Sequence, residues 1–304
     1  MSSSPSGAQH EISYGQATAV VAEVGATLRS FRVDGRDVID GFSADEPASA
    51  GRGQVLAPWP NRLEDGTYSF AGREAHAELD EPARRNAIHG LVRWLPWTVG
   101  LHTSDSVVLR CRVEAQRAYP WELDLQVAYS LTAQGLRVST QATNASDEPA
   151  PFGIGFHPYV TVGTDTVDEA RLTIPAEQRL TTDDRALPIG REPVSGTDLD
   201  FADPRPIGHT WMDTAFTDLR RDASGRSVIR LEGADVDRAV EVWMDEDFRY
   251  VMVYTGDTLE PASRRRQGIA IEPMTCPPNA FRSGTDVITL RPLGSWSADW
   301  GINA

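Results

Sequence analysis

The sequence predicts an all-β protein, a large antiparallel β-sandwich, and three observations support this prediction. Apolar residues recur at every second position in many short segments, which is the pattern of strands with one buried face. Gly, Pro, Asn or Asp separates most of these segments, and the chain contains 25 Gly and 20 Pro. Long amphipathic helical patterns and strand–helix alternation are both missing, which argues against an α/β fold.

The clearest predicted element is a hairpin, in which Leu123–Leu131 and Leu136–Ala142 both alternate around a Thr-Ala-Gln-Gly turn. The segment Thr181–Pro206 is rich in loop-forming residues, and we interpret it as a long surface excursion that borders a site. Further predicted strands, in chain order, are Thr18–Val24, Thr27–Val33, Thr67–Phe70, Val107–Val113, Arg171–Ile174, Ser227–Leu231, Val240–Met244, Tyr250–Tyr254 and Val287–Leu290.

We expect residues 1–304 to form a single domain, because no low-complexity linker divides the chain and its length suits one large β domain. The polar residues 1–10 are expected to form a flexible N-terminal tail. They show neither the basic nor the apolar region of a signal peptide, and the chain has no apolar run of about 18 residues. We therefore expect no membrane partner.

The charge balance narrows the classes of function. All 29 basic residues are Arg, against 44 acidic residues, so the net charge is −15. Because Lys is missing, a Schiff-base lysine, a pyridoxal-phosphate anchor and a P-loop lysine are excluded. The acidic excess argues against a nucleic-acid partner. Cys111 and Cys276 cannot build a multi-bridge disulfide framework, which indicates a reducing, cytoplasmic setting.

Two candidate polar groups lie in the first third of the chain. Asn61 and Arg62 follow a proline-stiffened aromatic loop, and the planar donor fork of Arg suits hydroxyl or anionic oxygens. A turn-forming Asn and a solvated Arg are the alternative. His89 precedes Gly90 at a predicted turn, where it can donate to a substrate oxygen or be a structural histidine bonded to backbone.

Three further candidates lie in the second half. His157 follows two glycines and precedes Pro158, so the backbone fixes an imidazole at a strand end, as a general acid or base requires. A satisfied core histidine is the alternative. Asp213 lies among apolar residues, where it is either a ligand-binding carboxylate or a structural cap. Glu272 ends a buried-looking strand before Pro273, and burial there would raise its pKa as suits a general base, with a structural ion pair as the alternative.

Other chemistries receive little support from the sequence. A metal site built from His89, His157 and Glu272 lacks HxH or HExxH spacing. Neither a serine-nucleophile elbow nor a glycine-rich dinucleotide fingerprint is present. We therefore expect no metal and no cofactor. The two acids Asp213 and Glu272 keep a glycoside hydrolase open as an alternative.

The candidate motifs, taken together and in order, resemble those of the aldose 1-epimerase (mutarotase) family: Asn61-Arg62, His89-Gly90, Phe156-His157-Pro158, Asp213 and Glu272-Pro273. The most specific segment, Ile271–Ala280, resembles the bacterial branch that includes sulfoquinovose mutarotase more than the galactose-type enzymes. The resemblance implies a galactose mutarotase-like supersandwich, a large antiparallel β-sandwich of about this length.

The resemblance also implies roles. Glu272 would be the base that removes the proton of the anomeric hydroxyl, and His157 the acid that protonates the ring oxygen, so that the pyranose opens and recloses as the other anomer. A nearby carboxylate such as Asp213 is expected to keep His157 charged. The implied catalytic residues are His157, Glu272 and His89, and the implied substrate-binding residues are Asn61, Arg62 and Asp213.

The implied substrate is a monosaccharide, either an aldohexose or a derivative modified at C6, and the protein is expected to be a monomer or homodimer. Galactose-type members often carry Gln where this chain has Met252, so galactose itself is not implied. Binding of a C6 anion by Arg62 or another arginine is a hypothesis. A non-catalytic carbohydrate-binding or sensor protein on the same fold is the main alternative, because a fold does not guarantee activity.

Overall fold

The computed structural model describes residues 4–233 and 238–304, and strands are the main secondary structure of these residues. They contain one short α-helix, α1 (Ala280–Ser283), and 3₁₀ turns at Pro82–Arg84, Val167–Glu169 and Ala262–Arg264. Among the described residues, no helix has the length and apolar character needed to cross a membrane.

In the amino-terminal third, the strands are β1 (Gln9–Tyr14), β2 (Ala17–Ala22), β3 (Thr27–Val33), β4 (Arg36–Asp37), β5 (Val55–Leu56), β6 (Arg62–Glu64), β7 (Thr67–Phe70), β8 (Arg73–His76) and β9 (Asn86–Ile88). In the middle they are β10 (Thr98–His102), β11 (Ser106–Val113), β12 (Leu123–Thr132), β13 (Gly135–Asn144), β14 (Ala150–Phe152), β15 (Gly155–Phe156), β16 (Tyr159–Val160), β17 (Arg171–Thr173) and β18 (Ala176–Thr182). Towards the carboxyl terminus they are β19 (Pro188–Pro193), β20 (Arg205–Pro206), β21 (Asp213–Leu219), β22 (Ser227–Glu232), β23 (Ala239–Met244), β24 (Tyr250–Tyr254), β25 (Ile269–Met274), β26 (Ile288–Leu290) and β27 (Ser295–Asn303).

Two large antiparallel sheets dominate the fold. One has nine strands in the order β10-β11-β12-β13-β27-β23-β22-β17-β20. The other, the eight-stranded sheet, has the order β19-β18-β21-β24-β25-β15-β5, and β16 also pairs with β25. A four-stranded sheet, β1-β2-β3-β4, and the strand pairs β14-β26, β6-β9 and β7-β8 accompany them.

Aromatic contacts show that the two large sheets pack against each other. The ring of Phe156 on β15 lies 5.0 Å from that of Trp300 on β27. One continuous hydrophobic core includes both Val127 of the nine-stranded sheet and Val251 of the eight-stranded sheet. Burial of two apolar faces against each other is the arrangement of a β-sandwich. The predicted all-β, antiparallel fold class is therefore confirmed.

The predicted hairpin forms β12 and β13. Leu123, Leu125, Val127, Tyr129 and Leu131 are all buried, while the residues between them are at least partly exposed. The two strands pair in register from the first residue of β12 to the turn. The remaining predicted strands occur within one or two residues of their expected limits, because one-sided burial leaves a clear period-two pattern.

One expectation stays a prediction and a second needs correction. The expected flexible tail, residues 1–10, includes the first two residues of β1, which begins at Gln9, and the Ala8 N–H donates to the Glu23 carboxylate (2.8 Å). Residues 1–3 lie outside the described residues. The Thr181–Pro206 excursion contains β19, which forms a hairpin with β18. The sequence gives little sign of β19, because it is an edge strand with almost no buried residue.

The side chain of Asn144, at the end of β13, stabilises the fold through hydrogen bonds to the backbone. Its fully buried side-chain amide donates to the carbonyls of Glu148 (2.7 Å) and Leu290 (3.0 Å), and its Oδ1 accepts from the Ser146 N–H (2.9 Å). We expect Asn144→Ala to lower the free energy of unfolding by about 2–4 kcal/mol, because these backbone groups lose their partner. Urea denaturation measures the change, and the exposed Gln141→Ala should stay within about 0.5 kcal/mol of wild type.

Candidate active site

Glu272 lies on the face of the eight-stranded sheet that points away from the sandwich core. Side chains alternate along a strand, and on β25 Ile269 and Ile271 enter the main core while Ala270 belongs to a separate cluster on the other face. Glu272 is 2% exposed and lies in the middle of β25, not at its end as the sequence suggested. The carboxylate is therefore held by strand pairing on both sides.

Strand register places His157 opposite Glu272. On the two short strands that flank His157, Gly155 pairs with Met274 and Tyr159 pairs with Ala270. His157 therefore faces the midpoint of β25, and its Nε2 lies 3.3 Å from Oε1 of Glu272. The sequence prediction of an imidazole at a strand end is confirmed.

The loop of residues 49–54 wraps around His157. The Gly53 N–H donates to the His157 carbonyl (2.8 Å), and the His157 N–H donates to the Gln54 carbonyl (3.2 Å). Gly51 has φ +73°, and a Cβ added there would lie 2.5 Å from Cδ2 of the imidazole. Only glycine permits both this backbone conformation and this approach.

His89 is oriented by the backbone of Asn61. The Asn61 N–H donates to Nδ1 of His89 (3.2 Å), and the His89 N–H donates to the Asn61 carbonyl (2.9 Å). Because Nδ1 accepts a hydrogen bond, the ring proton of neutral His89 is on Nε2. Burial, followed by the adjacent His157, lowers the pKa of His89 well below its usual value. His89 is therefore a neutral hydrogen-bond donor, with its ring 5.4 Å from that of His157.

Arg62 is enclosed by two carboxylates. Its Nε donates to Oε2 of Glu81 (3.0 Å), and its Nη2 lies 3.6 Å from Oδ2 of Asp213. Burial lowers the pKa of Arg62, but Asp213 and Glu81 outweigh burial and raise it above the usual value. Asn86 donates to the same Glu81 carboxylate (3.0 Å). The guanidinium is therefore fixed and already neutralised.

The pKa shifts of the His157–Glu272 pair favour a proton on the carboxyl group over a proton on the imidazole. Burial lowers the pKa of His157 to about 3, with a further contribution from the charge of Arg52. Burial raises the pKa of Glu272 well above its usual value, Asp213 adds to this, and Arg62 opposes it. The expectation that Asp213 keeps His157 charged is wrong, since Asp213 acts on Glu272 instead.

Two buried atoms of this pair indicate a place for a polar ligand. Within the described residues, Nδ1 of His157 and Oε2 of Glu272 have no hydrogen-bond partner. Folded proteins satisfy nearly all buried polar atoms. A ligand that supplies the missing hydrogen bonds would therefore be stabilised at this position.

The structure brings the predicted site residues into one connected cluster. Glu272 contacts His157, His157 contacts His89, and Asn61 links His89 to Arg62 through its backbone and its Oδ1, which accepts from the Arg62 N–H (2.9 Å). Arg62 then reaches Asp213. Sequence reasoning missed four residues that support this cluster: Gly51, Arg52, Glu81 and Tyr159. The Gly-Arg-Gly run at 51–53 was the available signal for the first two.

A pocket of about 460 Å³ opens beside Asp213. Thr181, Thr182 and Asp183, at the β18–β19 turn, form part of its wall, so the Thr181–Pro206 segment does border this region as expected. A larger cavity of about 1030 Å³ is lined by residues of β3, β4 and the loop after them and contains none of the predicted site residues. Among residues 4–233 and 238–304, no group of three His, Cys, Asp or Glu side chains is placed to hold a metal ion.

We expect Gly51→Ala to displace the imidazole of His157, because the new methyl group would lie only 2.5 Å from Cδ2 of the ring. Gly35→Ala is a matched control, since Gly35 has φ +72° but open space around it. Each variant should lose about 1–2 kcal/mol of stability to backbone strain. Only Gly51→Ala should also shift the His157 imidazole signals in NMR spectra. Unchanged signals would show that the close approach does not position the ring.

We expect Glu272→Gln to stabilise the protein at alkaline pH. The folded-state pKa of Glu272 is raised, so above about pH 4.5 the unfolded chain loses a proton that the folded protein keeps, and wild type loses stability as pH rises. Gln cannot ionise and avoids this loss. Thermal unfolding should therefore show a higher Tm for Glu272→Gln at pH 8 but no gain at pH 4. The exposed Glu74→Gln should show no such difference.

Comparison with known proteins agrees with this geometry. A model of the family described as aldose 1-epimerase matches residues 9–302. The Escherichia coli K12 protein YihR, described as uncharacterized, is 34% identical over 286 residues, which are 94% of this chain and 89% of YihR. Human galactose mutarotase is 25% identical over 265 residues, 80% of this chain and 76% of the human protein.

Solved structures share the fold. The GalM/aldose epimerase homologue from C. elegans superposes with a TM-score of 0.84 at 20% identity, covering 97% of this chain and 98% of that one. Galactose 1-epimerase from Lactobacillus acidophilus superposes with a TM-score of 0.78 at 19% identity, covering 96% of this chain and 92% of that one. Together with the family match over residues 9–302, these findings show that the chain belongs to the aldose 1-epimerase family.

Proposed function

We propose that this protein is an aldose 1-epimerase (mutarotase) that interconverts the α and β anomers of a hexopyranose. The observation that carries the proposal is the buried His157–Glu272 pair, whose Nε2 and Oε1 atoms are 3.3 Å apart. Ring opening needs one group that removes a proton and another that supplies one. The names of human galactose mutarotase and of galactose 1-epimerase from Lactobacillus acidophilus describe the same type of activity.

In the proposed mechanism, Glu272 takes the proton of the anomeric hydroxyl while His157 gives a proton to the ring oxygen. The electrons of the O–H bond form the aldehyde carbonyl, and the bond between C1 and the ring oxygen breaks. Rotation about C1–C2 presents the other face of the aldehyde, and the reverse proton transfers close the ring. No covalent bond to the protein forms, so the missing lysine is no obstacle.

One proton on the pair is the protonation state that this mechanism requires. The shifted pKa values of His157 and Glu272 favour the proton on the carboxyl group in the empty site. Transfer of that proton to His157 produces the carboxylate base and the imidazolium acid without exchange with solvent. Because the groups are coupled, the pH profile reports the pair and not either residue alone. Activity should fall when the pair gains a second proton or loses its only one.

The remaining cluster residues are proposed to hold the sugar. His89 donates from Nε2 to a substrate oxygen and acts with the catalytic pair, since its Nδ1 is occupied by the Asn61 N–H. Arg62 and Asp213, fixed against each other at 3.6 Å, offer donors and acceptors to adjacent hydroxyl groups. Asn61 is proposed to bind a hydroxyl in addition to orienting His89.

The surface beside Glu272 that is formed by β24 and β21 is apolar. Met252 on β24 pairs directly with Glu272, and Ala215 on β21 pairs with Met252. Directly opposed residues of antiparallel strands project to the same face, so this strip offers no hydrogen bond to a sugar hydroxyl. The strip therefore favours an aldohexose whose hydroxyl groups need no hydrogen-bond partner at this position. We do not propose galactose as the substrate.

Binding of a C6-modified, anionic sugar remains a prediction. Arg62 is an unfavourable anion site because Glu81 and Asp213 already neutralise it. Arg84 and Arg179 line the pocket beside Asp213, but they pair with Glu81 and Glu192 respectively. Equal kcat/KM values for glucose and its 6-sulfonate would exclude selective recognition of an anion at C6.

The cellular setting and assembly are also proposals. Cys111 and Cys276 are both buried and free, which suits a reducing compartment such as the cytoplasm. We propose that the protein acts there as a monomer or homodimer on a free monosaccharide.

The proposal predicts accelerated mutarotation of freshly dissolved α-anomers, measured by polarimetry or NMR over a panel of aldohexoses. Glu272→Gln and His157→Asn should each reduce the rate by about 10²–10⁴-fold, because each removes a proton-transfer group. The wild-type pH profile should be bell-shaped, with its limbs set by the coupled pair.

Glu74→Gln and His76→Asn are matched controls on the exposed strand β8, and both should retain wild-type rates. A flat profile across about pH 5–9 in the chemistry-limited regime would contradict the assigned pair. Sugar binding without acceleration would instead identify a non-catalytic carbohydrate-binding protein. Release of a reducing sugar from a glycoside would indicate hydrolysis.

A further inference from the structure

Arg52 is a buried arginine directly behind the candidate site. Its side chain is 2% exposed. It donates from Nε to the Asp40 carbonyl (2.9 Å), from Nη2 to the Asp40 carboxylate (3.0 Å) and from Nη1 to Ser49 Oγ (3.1 Å). The other oxygen of Asp40 is 3.1 Å from Nη2 of Arg264. These contacts fix the guanidinium plane and compensate its buried charge.

Arg52 is linked to the site through one aromatic ring. Its Cζ lies 4.5 Å from the ring centroid of Tyr159, within the range of a cation–π contact. The Tyr159 ring stacks on the imidazole of His157 with centroids 5.1 Å apart and an interplanar angle of 16°. The Tyr159 hydroxyl donates to the Ala50 carbonyl (3.2 Å), in the same loop that carries Arg52. Arg52, Tyr159 and His157 therefore form one continuous stack.

We propose that Arg52 is a positioning residue of the site, which fixes the Tyr159 ring and thereby holds the His157 imidazole against Glu272. The catalytic consequence rests on the proposed mutarotase function, whereas the positioning itself does not. Neither Arg52 nor Tyr159 is expected to bind the sugar, because Asp40 and Ser49 already accept from the guanidinium and the Ala50 carbonyl accepts from the Tyr159 hydroxyl. Their effect on a reaction must therefore pass through His157.

The charge of Arg52 also influences the protonation of His157. Arg52 and Arg93 disfavour a charged imidazole at His157, while Glu272 lies 3.3 Å away and favours it. Glu272 in turn faces Asp213, which disfavours its carboxylate, and Arg62, which favours it. Tyr159 and His89 add no charge, since burial keeps both neutral.

Arg52 therefore biases the shared proton towards Glu272 before a substrate binds. The bias keeps the imidazole neutral inside a buried site, where an unpaired imidazolium is expensive. Loss of the positive charge should move the proton towards His157, and loss of the stack should free the ring to rotate away from Glu272.

Three substitutions separate charge from stacking. Arg52→Met removes both the charge and the cation–π contact, Arg52→Lys keeps the charge, and Tyr159→Leu removes the stack while leaving the Arg52–Asp40 pair intact. The last variant keeps the proposal testable if Arg52→Met folds poorly because Asp40 loses a partner. Arg221→Met is the matched control, since Arg221 also binds backbone carbonyls, those of Asp245 (2.7 Å) and Phe248 (2.9 Å), beyond the far end of β21 from Asp213.

The first measurement is the titration of His157 by NMR, which needs no activity. Arg52→Met should raise the pKa of His157 by about one pH unit or more, and Arg52→Lys should restore the wild-type value. Tyr159→Leu should broaden or shift the imidazole signals because the ring loses its stacking partner. Arg221→Met should leave the titration and the imidazole signals of His157 unchanged and lower only the Tm. An unchanged His157 titration in Arg52→Met would overturn the electrostatic part of the proposal.

The second measurement is mutarotation kinetics. Arg52→Met and Tyr159→Leu should lower kcat by up to about 10²-fold with little change in KM, as expected for a misplaced proton-transfer group. The pH profile of Arg52→Met should shift in the same direction as its His157 titration. The pH profile of Tyr159→Leu should not shift. Wild-type kcat in both variants would refute positioning. If wild type accelerates no sugar, the proposed function fails, and the NMR titration still decides the role of Arg52.

Discussion

The fold buries a histidine and a glutamate side by side, close enough to share a proton. Both side chains are more than nine-tenths buried, so neither charged form is solvated by bulk water. Their separation of 3.3 Å allows one proton to serve both groups. Gly51 and Tyr159 bear on the position of His157, and Asp213 and Arg62 alter the charge around Glu272.

The central strands β24 and β25 of the eight-stranded sheet permit this arrangement because both of their faces are buried. Val251 and Val253 of β24 enter the sandwich core, while Met252 and Tyr250 cover the opposite face. A strand buried on both faces is rigid and dry, which strengthens electrostatic interactions. The same alternation that stabilises the sandwich therefore places Glu272 in a low-dielectric position with fixed neighbours.

Sequence patterns predicted the strands whose signal is carried by neighbouring residues in the chain. Strands with one buried face, such as β12, were visible because their alternation is set by burial. The edge strand β19 was missed because it buries almost nothing. The site residues were found as motifs, but the proton position on the His157–Glu272 pair was not, because it depends on burial and on Arg52, which lies more than one hundred residues away in sequence.

The break between β15 and β16 limits insertions and deletions next to His157. Because both strands pair with β25 on either side of His157, the number of residues between Gly155 and Tyr159 is fixed by register. One inserted or deleted residue there would turn the imidazole to the opposite face of the sheet. Length variation should therefore be tolerated at the β18–β19 turn and at exposed turns of the nine-stranded sheet, but be excluded from this five-residue segment.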